Sequence, residues 1–230
     1  GAGKGDFSFG TVNVHRGHLA FMGIGTGEVT LAAQNIIKND SPSNEDLLSV
    51  RDKSRLTITT QNLILSGTAE ASGHFDLREE AHFTLDAGVI RQHDGYGVYI
   101  VNSTTAPGTK NENMQVDINA NKWILKDTTK AAIAAGNALG GGHDVNVKAD
   151  FYLEVANPPT YTNGFTAGNI YGPLYFSNNN FVSRTGKYSF EGTVYQNTAG
   201  SNGAPFLITS HSPSTLNEFY INMDMKISGS

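Results

Sequence analysis

The chain has 230 residues, of which 38% are hydrophobic and only 16% charged, with 26 glycines, a formal net charge of −5 and an isoelectric point near 5.8. That length allows one large all-β domain or two small ones, and the chain carries too many aromatics and too little charge to be disordered. The acidic balance without a Lys/Arg cluster argues against nucleic acid, the absence of cysteine excludes thiolate sites and disulfides, and no apolar run is long enough for a transmembrane helix.

In chain order, the first element is "GDFSFGTVNV", with strand-forming Phe7, Phe9, Val12 and Val14 and no hairpin turn to a following partner. "NEDLLSVRDK" has the caps of a single helical turn, Ser43 or Asn44 followed by Glu45 and Asp46. "SRLTITTQNLIL" alternates as a strand: Leu56 and Ile58 share one face, and Leu63 and Leu65 share another beyond Asn62. "GVYIV", "MQVDINA" and "KWIL" continue the alternation. "KDTTKAAIAAGNALGGG" then predicts a helix over Thr129–Leu139, capped by Asp127 or Thr128, Ala-rich, and stopped by glycines. "VNVKADFYLEV" and "KYSFEGTVY" return to alternation, with "ANPPTYTNGFTAGNIYGP" between them as a surface loop. "FYINMDMKI" closes the series, with Phe219, Ile221, Met223, Met225 and Ile227 on one face. Neither an internal repeat nor a dividing linker stands out, and short strands punctuated by turns lead us to expect a β-sandwich with a small helical insertion.

Motifs that could carry chemistry read mostly as structure. "GIGTGE" (Gly23–Glu28) lacks the following helix and Lys-Ser/Thr pair of a phosphate loop, so it reads as a glycine-rich strand or bulge. His15 and His18 lack a third ligand at workable spacing. Asp117, Asn119 and Asn121 mimic half a calcium loop, but Lys122 stands where Gly is needed, and alternation makes them the outer face of a strand. His143 beside Asp144 has no nucleophile elbow to serve. Asn39 and Asn102 match a glycosylation pattern that chance supplies often in so Asn- and Thr-rich a chain. Arg78–Glu80 is the only charge cluster. No catalytic residue, metal or cofactor is assigned, and the expected protein is not an enzyme.

The order of "GDFSFGTV", "GIGTGE", "LTITTQNLILSG", "AHFTLDAGV", "GYGVYIV…APGTK", the Ala-rich insertion and "AGSNGAPFLITS" resembles the FaeG-type, kappa-clade subunits of chaperone–usher fimbriae. The resemblance implies an immunoglobulin-like sandwich lacking one strand, completed when a neighbour donates its N-terminal segment. Residues 1–15 would then be the donor strand, and 16–228 the pilin domain with its insertion at about 126–145. Phe7, Phe9, Gly10, Val12 and Val14 would dock, although the phenylalanines are out of phase with the valines. Either a bulge at Gly10 restores the phase, or Gly10, Val12 and Val14 dock while the rings face elsewhere. The resemblance also implies other fimbrial subunits, a periplasmic chaperone and an outer-membrane usher as partners, an extracellular location, and a host glycan receptor. Trp123, Lys126, Asp127, Asn137, His143 and Asp144 around the insertion are the candidate sugar site, the plainer reading being that Trp123 is core beside Leu125. The alternatives are a purely structural fimbrial subunit, or a phage or other surface β-protein assembled by strand exchange.

Overall fold

The computed structural model describes residues 3–15, 19–21, 27–39, 47–51, 53–66, 74–78, 80–101, 114–136, 143–154, 174–178, 186–196, 206–210 and 218–227. Every regular element among them is a strand: β1 (Lys4–Val14), β2 (Leu19–Phe21), β3 (Glu28–Lys38), β4 (Leu48–Val50), β5 (Arg55–Leu65), β6 (Phe75–Arg78), β7 (His82–Val101), β8 (Met114–Gly136), β9 (His143–Glu154), β10 (Leu174–Asn178), β11 (Gly186–Gln196), β12 (Phe206–Ser210) and β13 (Glu218–Ile227).

All pairings are parallel, and the long strands stack in chain order β1-β3-β5-β7-β8-β9-β11-β13. The short strands form a second path, β2-β4-β6 and then β10-β12, and β7 and β8 run unbroken from the first path into the second. Parallel neighbours need a crossover between them, so each long strand begins a new turn of a coil. Stacked partners lie 24, 27, 33, 29 and 43 residues apart, as at Thr11–Asn35, Asn35–Asn62, Asp86–Asn119, Asp117–Asn146 and Lys148–Glu191. The architecture is a parallel β-solenoid, in which each turn packs only on the turns before and after it.

The side-chain pattern explains the coil. In β5, Leu56, Ile58 and Thr60 are buried, Gln61 and Asn62 are not, and Leu63 and Leu65 are buried again. Two successive residues facing out mean that the strand turns a corner there and resumes alternation on a new face. The pairing skips the first corner position throughout the early rungs, at Gly10, Gln34, Gln61 and Gly88. At Gly88 a Cβ would lie 2.7 Å from the Gln61 carbonyl oxygen, so this corner needs glycine for close backbone approach. Polar side chains bind the corner together: Asn62 Nδ2 donates to Asn35 Oδ1 at 3.0 Å, and Asn35 Nδ2 donates to Thr11 Oγ1 at 3.2 Å.

Inward columns continue from rung to rung. Leu31, Ile58, Leu85, Ile118, Val147 and Phe190 form one, and Ala33, Thr60, Ala87, Ala120 and Ala149 another. Past the corner, Ile36, Leu63, Ile90, Trp123, Phe151 and Val194 fill a third. Each fully buried aliphatic or aromatic side chain contributes about 1.5–3 kcal/mol of transfer free energy. On the second path the buried Asp76 carboxylate is held by Arg78 at 2.7 Å and Arg51 at 3.4 Å.

All-β composition is therefore as expected, but the sandwich is not. Alternation marks which residues face inward and is silent on whether neighbours run parallel. The helix over Thr129–Leu139 and the insertion at 126–145 are also corrected: Lys126–Gly136 continue β8. Ala132 and Ile133 are completely buried, and Ile133 is paired with Val98 and Leu174, so tertiary packing overrides the helical propensity of the alanines. Residues 137–142 lie outside the described residues. Of the helical turn expected at "NEDLLSVRDK", residues 43–46 lie outside the described residues, and Leu48–Val50 form β4, all three buried.

Candidate functional site

The outward rows of five successive long strands, β1, β3, β5, β7 and β8, line a cleft of about 320 Å³. Its first row is the register column Lys4, Glu28, Arg55, His82 and Gln115. Its second, two residues along each strand and so on the same face, is Thr30, Thr57, Thr84 and Asp117. With rungs about 4.8 Å apart, the cleft runs roughly 19 Å along the coil axis. Its backbone floor is fixed by ladder bonds just upstream of each strand: Glu28 N–H to Gly3 O at 2.9 Å, Arg55 N–H to Gly27 O at 2.8 Å, His82 N–H to Ser54 O at 3.0 Å and Gln115 N–H to Ala81 O at 3.1 Å.

At one end Asp117 is fixed on both oxygens, accepting from Gln115 Nε2 at 2.7 Å and from Asn146 Nδ2 at 2.9 Å. In the middle, His82 is held below its ordinary range of 6.5, first by burial and then by the Arg55 guanidinium, with Asp117 and Glu80 opposing more weakly. It is therefore a neutral imidazole near pH 7, able to donate from one nitrogen and accept at the other. The four ionised lining residues, Lys4, Glu28, Arg55 and Asp117, balance in sign. What the cleft offers a ligand is a repeating set of hydroxyl, amide, imidazole and charged groups, one pair per rung.

Of the sugar-site residues expected from the sequence, Trp123, Lys126 and Asp144 do not line this cleft. Trp123 is 1% exposed, stacks on Phe151 with ring centroids 5.6 Å apart, and donates Nε1–H to Gln92 Oε1 at 3.1 Å, so it is core. Lys126 points outward and pairs with Glu154. Asp144 is exposed in the same register column as Gln115, one rung beyond the cleft. Asp127 and His143 lie within β8 and β9, and Asn137 lies outside the described residues.

The donor-strand residues are equally informative. Lys4–Val14 pairs along its length with Glu28–Lys38 of its own chain. The corner at Gly10 resolves the phase break: Phe9 pairs with Ala33 and Val12 with Ile36, and both partners face inward. Val12 and Val14 pack on the core, whereas Phe7 and Phe9 are 50% and 48% exposed.

Of the remaining motifs, Asp117, Asn119 and Asn121 are the outer positions of a strand, as expected. Arg78 binds Asp76, and Glu80 pairs with Lys53 at 3.3 Å. His15 contacts the Asn39 amide at 3.3 Å, while His18, Asn102 and the loop at 156–173 lie outside the described residues. No three His, Asp or Glu side chains among the described residues are placed to share a metal ion.

A second feature escaped sequence reasoning, an outward aromatic stack on β9 and β11. The Tyr152 and Tyr195 rings lie 4.5 Å apart at 9°, with Lys122 Nζ 4.1 Å over Tyr152 and Lys226 Nζ 5.3 Å over Tyr195. Each ring face is taken by the other ring or by an ammonium, which leaves no platform for a sugar. The signal for the cleft itself was available: "VTLAAQNII", "LTITTQNLI" and "FTLDAGVIR" are one repeat, and its second position is the threonine row. Comparison with family models, with curated proteins and with solved structures returns no match.

Proposed function

We propose that this chain is a recognition module whose cleft binds an uncharged, linear polysaccharide along the solenoid axis. The observation that carries this reading is the ladder Thr30–Thr57–Thr84 beside the row Lys4–Glu28–Arg55–His82–Gln115, a polar pattern repeated at rung spacing. A polymer of similar residues presents hydroxyls at a comparable repeat, so successive units meet equivalent groups. The balanced charges and the neutral His82 favour hydroxyl partners over a strongly anionic or cationic ligand.

Recognition is favoured over hydrolysis on distance. Glu28 and Asp117, the two carboxylates lining the cleft, are three rungs apart, roughly 14 Å, against about 5–9.5 Å for the acid pairs of glycosidases. Asp117 is also committed to Gln115 and Asn146. Display outside the cell, where such polymers occur, is part of the same proposal. The fimbrial subunit implied by the sequence resemblance is a separate reading, and in this solenoid Lys4–Val14 pairs with Glu28–Lys38 of its own chain.

The test is affinity electrophoresis and calorimetry against a panel of neutral and acidic polysaccharides. A neutral polymer should bind, with length dependence up to about four or five sugar units. Thr57→Val and Arg55→Ala should each weaken binding about tenfold without moving the melting temperature by more than a few degrees. Failure of every neutral polymer to bind, or binding indifferent to both substitutions, overturns the reading.

A further inference from the structure

We infer that His82 sets the ligand class of the cleft by its charge: once protonated, it and Arg55 together hold a uronate carboxylate, so that in mild acid the cleft takes acidic polysaccharide. This rests on the reading of the cleft as a polysaccharide site and adds a second, pH-selected class of ligand to it.

The first row of the cleft carries one residue per rung, Lys4, Glu28, Arg55, His82 and Gln115. Glu28 stands between Lys4 and Arg55, so each of those cations has a carboxylate one rung away. His82 has none in the row, with Arg55 on one side and Gln115 on the other. Beside it in the second row are Thr57, Thr84 and, diagonally across, Asp117. Both Asp117 oxygens are engaged by Gln115 and Asn146. On the strand of His82 itself, Glu80 pairs with Lys53 at 3.3 Å and Asp86 accepts from Asn119 at 2.8 Å. Asp144 lies one rung beyond Gln115 in the same column. Among the described residues, Arg55 is thus the charged neighbour in register with His82.

Protonation sets two cations side by side at one rung spacing, about 4.8 Å, with no carboxylate between them. It also tips the balanced lining charges to a net positive value. A carboxylate answers both changes. One oxygen accepts from the guanidinium and the other from the imidazolium, each through a charge-assisted bond. A uronate carries such a group on every sugar, and it stays ionised in mild acid because carboxylates titrate at about pH 4 or below. Burial and Arg55 keep the free imidazole below its ordinary range, so its charge waits for acidification. A carboxylate bound between the two offsets the Arg55 repulsion, and ligand and proton are therefore taken up together. An uncharged sugar gains nothing, since a hydroxyl accepts from an imidazolium as readily as it donates to a neutral imidazole.

The test is calorimetry of the full chain at pH 7.5 and 5.0 and one ionic strength. The probes are polygalacturonate and polymannuronate, each beside its fully methyl-esterified form, the same backbone without charge. An acid form should bind at least about tenfold more tightly at the lower pH, and its heat should vary with the ionisation enthalpy of the buffer, which reports proton uptake. Any affinity of the esterified forms should change by less than about threefold. His82→Gln should abolish the pH dependence, and His82→Lys should bind the acid form tightly at both pH values. His82 is only partly buried, so both variants should keep the parent far-ultraviolet spectrum. Uronate binding that is absent at pH 5.0, equal at the two pH values, or equally pH-dependent in His82→Gln overturns the inference. None of these touches the neutral-polymer reading, which fails separately when no neutral polymer binds at either pH.

Discussion

Phe7 and Phe190 stand in the same register column, one on the first rung and one on the seventh, yet Phe7 is 50% exposed and Phe190 fully buried. The residue type, the strand and the inward direction are shared. What differs is that Phe190 has a rung on both sides, Val147 in β9 and Ile221 in β13, while Phe7 has only Leu31. In this fold burial is conferred along the axis by neighbouring turns, and position in the stack outweighs the character of the side chain.

The largest effect that separates the two places is truncation. Phe190→Ala should cost about 3–5 kcal/mol in urea denaturation, and Phe7→Ala about 1 kcal/mol or less. Equal losses would mean that the first rung is covered in solution. Next comes backbone fit within the interior: Gly192, at φ 141°, would carry a Cβ only 1.9 Å from the Ala149 carbonyl oxygen. Gly192→Ala should therefore destabilise by more than about 2 kcal/mol, from the unfavourable φ and displacement of β11 from β9. A smaller effect is expected at the corner. Asn62→Ala removes the amide that donates to Asn35 and should cost about 1 kcal/mol by the same assay.

The smallest effect is on pH dependence. His82 is held below 6.5 in the fold, mainly by burial and then by Arg55, so on acidification the unfolded chain takes up a proton before the folded one does. Stability should fall as the pH drops below that value, and His82→Gln should lose this part of the dependence. Urea midpoints at pH 7.5 and 5.5 check it: the gap should be narrower in the variant.

The strands themselves were legible because alternation is a property of single segments. Leu56, Ile58, Leu63 and Leu65 were assigned to two faces on either side of Asn62, and those faces are the two sides of a corner. The break in phase between Phe9 and Val12 was the same corner seen one turn earlier. Its meaning was hidden because a bulge, a change of facing and a corner leave identical traces in one segment. Only aligning the segments with each other, "AAQNII" on "TTQNLI" on "DAGVIR", exposes the coil. The Ala-rich stretch departs from its helical propensity for a different reason. Propensity favours helix there, and the opposing factor is contact with β7 and β10, which no local window contains. Trp123 as core was readable from its spacing to Leu125, whereas the cleft depends on stacking residues from five separate turns.

The spread of turn lengths, from 24 residues between Thr11 and Asn35 to 43 between Lys148 and Glu191, has an evolutionary corollary. Since rungs of unequal contour length still meet in register, the excursions between them are free to be lengthened, shortened or exchanged while the stacked interior stays put. A whole turn is likewise a portable unit: excising 55–81 would set His82 directly on Glu28, with Phe83 and Leu85 following Val29 and Leu31. Selection acting on such a chain can retune its surface, or its reach, by cut-and-paste of segments rather than by redesign of a core.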